Sequence, residues 1–534
     1  MSEKKKPGLL GYAVVMSVIT IISKALGLLR DVLVGRNYGT DVAAQAYAAA
    51  SSLPVMIFDF VIGGVVTAAF IPVFNSILVK KGKKEALEYA NSYVNFILIA
   101  TAVIAAAGVG LAPLLVRFVA PELSAEATSL AVQLTRIMFP MIIFTGLAFS
   151  FVGILQSLGE YNIPALISLV SNVIMVGYLF ALNWKFGIFG LAVAMVIGWA
   201  AQAFIQAPKL LSFGYRYRPA LPKFDESLKR SLKSALPILI GMWTTPVCTL
   251  INNSCASSLN EGRAIAALSY SSKLYIIIVG VFSFVATNLL FPKMSKAEAG
   301  GDREETTRLI RTSSKTLIFV IAPITVGLVM LARPFIALVY ERGEFTPADT
   351  LLTSDALRFY CVGMIFMAVN EVLVKSLFAA ERPRAPMVSS ICSMSFNVLV
   401  IWICYGLPSF GLKPLIPSLG EKFGIGGIAL VAGLATVINF IINAIFAWKK
   451  RICRFTGRDV LDAGRSVVAA AAMIPALWFI DGRIGSDVGK IGLGLLAGIA
   501  IYFIASVILR SEETATLFSM IRGKLGKKGE DENG

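Results

Sequence analysis

Among the charged side chains that lie within or beside stretches that are otherwise apolar, six are the residues most able to do chemistry in this chain. They are Lys24, Arg30, Asp31, Asp59, Arg136 and Lys273. A charge at the centre of a membrane helix costs roughly 2.5–3.5 kcal/mol on insertion scales, so it normally faces a cavity or an opposite charge. We therefore take these six residues as the candidate substrate-binding set.

The two lysines give the clearest indication of the kind of substrate. Lys24 and Lys273 each lie well inside an apolar stretch, and Lys24 is seven residues from Asp31, which places both nearly on one helical face. A lysine ammonium group is a compact point charge that suits phosphate. A cavity lined by such cations favours an anionic substrate, and the apolar surroundings indicate that this substrate is itself partly lipid.

The other embedded charges each have more than one interpretation. Arg30 lies near the outer end of its stretch and could extend its head to the membrane surface. Arg136 could either pair with Asp59 or line a cavity, and the sequence leaves both alternatives open. Two further pairs have the spacing of local contacts along one helix: Asp355 with Arg358, and Glu371 with Lys375.

The composition excludes several kinds of catalytic site. The chain has no histidine, which removes histidine–metal sites, Ser–His–Asp triads and histidine proton relays. Its six cysteines show no metal-ligand spacing, and neither a G-x-x-x-x-G-K-[ST] loop nor a G-x-S-x-G elbow occurs. We expect a protein that is not an enzyme and that needs no cofactor.

Fourteen apolar stretches must position these charges, each near the roughly 20 residues that a membrane-spanning helix needs. Apolar residues make up 57 % of the 534 residues and charged residues only 15 %. We therefore predict an all-α polytopic membrane protein with fourteen transmembrane helices. The predicted spans are 9–29, 44–75, 91–116, 127–155, 161–182, 186–208, 232–254, 264–291, 316–339, 351–379, 386–406, 424–448, 464–481 and 489–509.

The distribution of basic residues predicts the orientation of these spans. Lys and Arg cluster in every second loop, as around 80–84, 216–233 and 449–458, whereas the intervening loops carry isolated cations. This pattern follows the positive-inside rule and predicts that both termini are cytoplasmic, with the first span retained. The net charge of +17 is thereby explained by topology and anionic lipid headgroups, and we expect no nucleic-acid partner.

Short matching segments six spans apart indicate an internal duplication. Lys185-Phe-Gly-Ile-Phe-Gly-Leu-Ala192 matches Lys422-Phe-Gly-Ile-Gly-Gly-Ile-Ala429, and two shorter echoes occur in the same order: Phe70-Ile71-Pro72 with Phe291-Pro292, and Ser171-Asn172-Val173 with Phe396-Asn397-Val398. Two copies of six helices share one orientation and face each other across a central cleft, as in many transporters. The predicted organisation is an N-lobe (1–208), a cytoplasmic linker (209–231), a C-lobe (232–448), two added helices (449–510) and a cytoplasmic tail (511–534).

Several of these segments resemble one known family. Ser23-Lys-Ala-Leu-Gly-Leu-Leu-Arg-Asp31 resembles the first-helix signature of the MurJ (MviN) family, within the multidrug/oligosaccharidyl-lipid/polysaccharide exporter superfamily. Further similar segments are Ala69-Phe-Ile-Pro72, Leu155-Gln-Ser-Leu-Gly159, Tyr340-Glu-Arg-Gly-Glu-Phe-Thr346 and Gly424-Ile-Gly-Gly-Ile-Ala-Leu430. The resemblance covers roughly residues 9–510 and all fourteen predicted spans.

The resemblance implies a flippase for lipid II, the undecaprenyl-pyrophosphate-linked peptidoglycan precursor. It also implies two lobes in a V around a cationic central cavity, with a groove for the lipid tail along the last two helices. The implied setting is a bacterial inner membrane, where we expect a monomer in a phospholipid bilayer, with the cell-wall synthesis machinery as a candidate partner. Membrane-potential or sodium coupling would supply the driving force.

The functional residues of the family carry over only in part. Arg30 and Asp31 match, while Lys24 and Lys273 stand where the family usually has Arg, so the charge is kept without bidentate bonding. The expected second-helix cation is replaced by Phe58 or Asp59. The acid expected just after the first external loop is replaced by Gln45, and the acid expected after the eighth-helix cation is replaced by Ile276. At the sodium site of some members, Asn253 and Asn397 could supply oxygens, but Ile401 stands near the expected carboxylate.

Three other functions stay open on the sequence. A flippase for another polyprenyl-linked glycan is favoured by the Arg-to-Lys changes and the missing cation. A cation-coupled drug antiporter would depend on acidic cavity residues, so Asp59 and Asp31 would then matter more than Lys24 and Lys273. A non-transporting scaffold for cell-wall synthesis would tolerate changes at every embedded charge.

Overall fold

The computed structural model describes residues 9–61, 70–222, 224, 226–232, 243–299, 302–380, 382 and 384–515. Over these residues the chain is helical, and the strand-like pairing is limited to one isolated bridge between Leu407 and Leu412. This confirms the predicted all-α membrane class.

Twenty-one α-helices are described, and they are numbered here in chain order. They are α1 (Leu9–Tyr38), α2 (Val42–Val61), α3 (Ile71–Lys81), α4 (Lys83–Gly110), α5 (Ala112–Val119), α6 (Ala125–Met138), α7 (Met141–Ser157), α8 (Asn162–Ala181), α9 (Asn183–Phe204), α10 (Ala207–Ser212), α11 (Thr244–Ser257), α12 (Arg263–Ala299), α13 (Arg303–Met330), α14 (Ala332–Tyr340), α15 (Pro347–Tyr360), α16 (Met364–Ala379), α17 (Arg384–Tyr405), α18 (Pro417–Lys449), α19 (Gly457–Ala471), α20 (Ile474–Arg483) and α21 (Asp487–Ile508).

Ten helical segments within the described residues are long and apolar enough to cross a membrane, or eleven if the bent pair α6–α7 forms one span. These correspond to the predicted third to sixth and eighth to fourteenth spans. The predicted first span lies in α1, whereas the second and seventh include residues 62–69 and 233–242, which lie outside the described residues. The count of fourteen therefore stays a prediction.

Local sequence signals explain where several helices begin and bend. The Ser124 side chain accepts a hydrogen bond from the Ala127 amide at the start of α6, and Thr456 forms a capping box with Asp459 at the start of α19. Pro140 stands between α6 and α7, which meet at an angle of 41°. Proline has no N–H to continue the helical hydrogen bonds, which accounts for a bend within the stretch 127–155 that the sequence analysis predicted as one continuous span.

The chain divides into two compact units whose boundaries fall within α12, α15, α17 and α18 and between α14 and α15. The first unit contains 1–270, 342–349 and 390–428, and the second contains 271–341, 350–389 and 429–534. In the first unit α8 packs against both α1 and α9, and α2 packs against α6. The predicted lobes and linker, which were drawn from sequence echoes, stay a prediction.

In the second unit α13 packs against α16 and α19, and α19 packs against α21. An ionic cluster at Lys315, near the middle of α13, ties these helices. Lys315 Nζ lies 3.2 Å from Asp459, 3.0 Å from Asp462 and 2.8 Å from Glu512. Because three acids from two segments share one cation, this cluster joins α13 to α19 and to the segment that follows α21.

The duplicated motif has the same backbone conformation in both copies. Gly187 in α9 and Gly424 in α18 have φ of 55° and 47° with ψ of −145° and −135°, inside otherwise regular helices. The Tyr178 hydroxyl donates to the Gly187 carbonyl (2.6 Å), and the Tyr405 hydroxyl donates to the Gly424 carbonyl (2.7 Å). A shared sequence with a shared unusual conformation supports the interpretation that the segment was duplicated.

Candidate functional site

The first-helix signature holds an arginine whose direction is set by two partners. Arg30 donates from Nε and Nη2 to Asp31 Oδ1, at 3.1 and 3.0 Å. Its Nη1 donates to Asn172 Oδ1 in α8, at 3.1 Å. Asp31 is buried, whereas about a quarter of the Arg30 side chain stays accessible. The arrangement therefore holds the Arg30 guanidinium in one orientation and leaves it reachable.

Asn172 is the member of this group that sequence reasoning missed as a site residue. Its Nδ2 donates to the Ser23 carbonyl at 3.0 Å, which fixes the amide so that Oδ1 faces Arg30. Gly27, one turn along α1, leaves room for this approach, since a Cβ there would already touch Asn172 Nδ2. The one available signal was the echo between Asn172 and Asn397, which marks a repeated position without revealing its partner.

The structure places the two predicted lysines on different helices, each partly exposed. Lys24 follows Ser23 in α1, two turns before Arg30, and within the described residues no hydrogen bond or ion pair engages it. Lys273 lies in α12 within the second unit and takes part in at least one polar or electrostatic contact. Their predicted roles as headgroup cations stay predictions.

The pairing of Arg136 with Asp59 is not seen in the part of the chain that the structure describes. Arg136 is exposed on α6, and Asp59 is partly exposed near the end of α2. The alternative, that Arg136 lines a cavity, stays a prediction. The local pair Asp355–Arg358 is confirmed, with an N–O distance of 3.3 Å, whereas Glu371–Lys375 stays a prediction.

The first unit contains a second group of polar contacts, centred on Asp349. These contacts give a structural reason for the threonine that ends the Glu-Arg-Gly-Glu-Phe-Thr segment. Asp349 is 2 % exposed and accepts hydrogen bonds from the Thr346 amide (2.8 Å) and hydroxyl (2.9 Å) through Oδ2. Its Oδ1 accepts from the Thr40 hydroxyl and lies 3.9 Å from Arg263 Nη1. Sequence reasoning missed Thr40 and Asp349, because 309 residues separate them in the chain.

Two glycines allow the backbone of this segment to lie against the end of α1. Gly39 and Gly343 have φ of 53° and 63°, and a Cβ on either would collide with the facing carbonyl oxygen, of Glu344 or Arg36. The Glu344 amide donates to the Arg36 carbonyl at 2.9 Å. The first unit thus holds residues 342–349 by backbone contacts that no larger residue would permit.

An apolar cavity of about 500 Å³ lies among α13, α14, α20 and α21 in the second unit. Its walls are almost wholly hydrocarbon, and they include Phe319, Leu331, Leu477, Leu495 and Phe503. The two helices predicted to follow the repeat contribute half of this lining. The cavity has the size and chemistry to hold part of an isoprenoid or acyl chain.

The predicted sodium ligands are incomplete. Asn397 is fully buried, and within the described residues neither its Oδ1 nor its Nδ2 has a hydrogen-bond partner. Ile401, one turn later in α17, is also fully buried and offers no oxygen. Within the part of the chain that the structure describes, no group of three or more His, Cys, Asp or Glu residues could hold a metal ion. Sodium coupling at this position therefore stays a prediction.

Comparison with known proteins gives consistent results. A family model described as "Lipid II flippase MurJ" matches residues 36–501. A protein of Bdellovibrio bacteriovorus named "Probable lipid II flippase MurJ" is 26% identical over 529 residues, covering 96% of this chain and 97% of its own. A Burkholderia cenocepacia protein named "Lipid II flippase MurJ" is 24% identical over 461 residues, covering 84% and 88%.

Solved structures show the same fold. A structure described as lipid II flippase MurJ in an inward closed conformation superposes with a TM-score of 0.78 at 23% identity, covering 93% of this chain and 99% of that one. An inward-facing multidrug resistance transporter of the MATE family, in the MOP superfamily, gives a TM-score of 0.64 at 16% identity, covering 82% and 99%. At these identities the likeness concerns the fold.

Proposed function

Because this chain belongs to the lipid II flippase MurJ family, we propose that it moves lipid II from the cytoplasmic to the outer leaflet of the bacterial inner membrane by alternating access. The family match, over residues 36–501, is the observation that carries this proposal. The activity is transport, with no chemical step on the cargo. The charge asymmetry of the loops supports cytoplasmic termini.

The oriented arginine supports recognition of the diphosphate of the cargo. A guanidinium is planar and always charged, and it offers donors in a fixed fork that matches phosphate oxygens. Two Arg30 nitrogens bond Asp31 and a third bonds Asn172, so the side chain reaches the cargo already ordered and loses little entropy on binding. We propose that Lys24 and Lys273 add charge to the same recognition.

The apolar cavity supports a place for the polyprenyl tail. Each buried CH₂ of a lipid chain contributes about 0.8 kcal/mol when it leaves water, but inside a bilayer the gain is packing alone. The cavity among α13, α14, α20 and α21 therefore guides the tail without holding it tightly. Weak, mobile contact suits cargo that must leave on the other side.

The membrane potential is the driving force that the residues support best. Carrying one negative charge outward across an inside-negative membrane releases about 2.3 kcal/mol per 100 mV. The sodium ligands seen in some family members are incomplete here, because Ile401 replaces the expected carboxylate. We derive no sodium-coupled step from that position.

Complementation tests this proposal in cells. A bacterium whose own lipid II flippase is depleted should grow when it expresses the wild-type chain. Arg30→Ala, Lys24→Ala and Lys273→Ala should each lower rescue by at least tenfold in plating efficiency at equal membrane expression, because each removes a headgroup cation. Arg117→Ala, which removes an exposed arginine at the end of α5, is the matched control and should rescue fully.

Two results would count against this account. If the wild-type chain is well expressed and gives no rescue, the cargo is not lipid II. If rescue by wild type survives all three substitutions, the function stands and the cation-based recognition is wrong.

A further inference from the structure

The two copies of the duplicated segment differ in the length of one loop. In the first copy α9 begins two residues after α8 ends, and Tyr178 precedes Gly187 by 9 residues. In the second copy the matching residues, Tyr405 and Gly424, are 19 residues apart. The chain between the same two landmarks is therefore ten residues longer in the second copy, 19 against 9. We call the added part, residues 406–416 between α17 and α18, the strap.

The strap has a defined shape, because backbone hydrogen bonds close it at its base. Leu407 and Leu412 exchange both of their backbone hydrogen bonds, at 2.7 and 3.1 Å. The Ile416 amide donates to the Ile403 carbonyl near the end of α17, at 2.8 Å. Between Leu407 and Leu412, the short helical turn Pro408–Phe410 forms the tip of the strap. The closed base therefore fixes where the tip lies.

The tip of the strap contacts two other segments of the chain. The Ser409 amide donates to Ser254 Oγ in α11 at 3.2 Å, and the two hydroxyl oxygens lie 2.5 Å apart. The Ser409 hydroxyl also donates to the Phe118 carbonyl at the end of α5. With Ser254 donating to Ser409, each hydroxyl hydrogen has an acceptor. The Phe410 ring meets the Phe118 ring edge to face, with centroids 5.3 Å apart, so the tip ties α5 to α11.

These contacts join segments from different copies of the predicted duplication. α5 belongs to the first six-helix copy, whereas α11 and the strap belong to the second. All three lie in the first compact unit. The neighbouring segments carry the isolated cations Arg117 and Arg263, so the charge pattern predicts that this face is the outer one. In an alternating-access transporter the two copies separate on this face when cargo leaves.

We propose that the strap keeps the outer face closed, and that the contacts of Ser409 and Phe410 with Phe118 must break before cargo leaves outward. This inference rests on the proposed transport by alternating access. A hydrogen bond and a ring pair are contacts of ordinary strength, so they favour the closed state without making it permanent. Phe410 is already 55 % exposed in this structure, so release leaves little additional apolar surface in water.

Distances between two spin labels test the strap without any cargo. The labels are placed on exposed positions of α5 and of the strap, through Leu114→Cys and Leu415→Cys. The background carries serine in place of Cys248, Cys392 and Cys404, because the other three cysteines are buried. The purified full-length protein is measured in lipid nanodiscs that contain no lipid II.

The double variant Ser409→Ala with Phe410→Ala should raise the population of longer label distances about threefold or more over the labelled parent. It removes one hydroxyl donor and one ring contact, and both contacts favour the closed state. Lys413→Ala is the matched control, because it changes an exposed strap side chain that, within the described residues, makes no hydrogen bond or ion pair. The control should keep the distances of the parent.

Chemical bridging tests the link between the strap and transport. Phe118→Cys and Ser409→Cys are joined by a short bifunctional thiol reagent that reduction removes, in vesicles that report the movement of lipid II. Transport should fall about tenfold or more on bridging and recover on reduction, because the bridged strap can no longer leave α5. Leu407→Cys with Leu412→Cys is the control, since this bridge joins the strap only to itself.

The proposal is overturned if the label distances of the double variant superpose on those of the control. It is overturned equally if protein that is fully bridged between positions 118 and 409, as verified by mass, transports at the rate of the reduced protein. A reduced protein that moves no lipid II contradicts the proposed function instead. The cargo-free label distances then still decide whether the strap holds the outer face closed.

Discussion

The Asn172 side chain helps to orient the guanidinium of Arg30. Arginine has many rotamers, and an unrestrained one would lose about 2 kcal/mol of side-chain entropy on binding an anion. Here one partner is the neighbouring Asp31 and the other comes from α8, 142 residues away in the chain. The amide of Asn172 is itself held by the Ser23 carbonyl. The charge is therefore fixed by contacts on two sides.

Replacing Asn172 by leucine should weaken cargo binding by roughly tenfold or more, because a hydrogen bond to a charged group is worth about 1.5–3 kcal/mol. Leucine keeps the volume and removes both hydrogen bonds. The measurement is the Kd for lipid II with the protein in lipid nanodiscs. Ser171→Ala is the control, since within the described residues the Ser171 hydroxyl bonds only the Ser168 carbonyl in the same helix. Equal affinities for Asn172→Leu and the control would remove Asn172 from the site.

The site residues that could be predicted from the sequence are those that stand out from their immediate neighbours in the chain. Arg30 and Asp31 stand in an apolar stretch, and charge in such a place is informative by itself. Asn172 and Asp349 act through partners 142 and 309 residues away. A single sequence contains no information about such pairings, because they depend on which helices pack together.

At the scale of elements, the helices were predictable and their interruptions were less so. Long apolar stretches predict spans because the bilayer forces backbone groups to bond within a helix. The repeated Lys-Phe-Gly-Ile motif was visible as a sequence echo, but its conformation was not. Gly187 and Gly424 leave the helical region of φ and ψ, and the conformation is stabilised by tyrosines of the preceding helices.

Replacing Gly187 or Gly424 by alanine should destabilise the protein by about 1–3 kcal/mol each, because only glycine adopts this backbone conformation at low cost. The measurement is thermal unfolding of the purified variants. Gly177→Ala is the control, since a Cβ at Gly177 meets no atom within 4 Å and its φ is not left-handed. If Gly187→Ala unfolds at the same temperature as Gly177→Ala, the interruption is not intrinsic to the motif.

At the scale of the whole molecule, the family and the membrane class could be predicted from the sequence. The division into two compact units could not be predicted from hydropathy and loop charge. Hydropathy and loop charge report on each segment against its solvent, so they predict spans and orientation. The two compact units divide within α12, α15, α17 and α18 and between α14 and α15. Contacts between distant segments set these boundaries, and composition along the chain does not record them.

The most direct test of the central claim is the movement of lipid II itself. The purified chain is reconstituted into vesicles with fluorescently labelled lipid II in both leaflets, and a membrane-impermeant quencher is added outside. The account predicts that quenching continues beyond the outer-leaflet pool in wild-type and Arg117→Ala vesicles, and that Arg30→Ala slows this second phase at least tenfold. Quenching that stops at the outer-leaflet pool, as in protein-free vesicles, would contradict it.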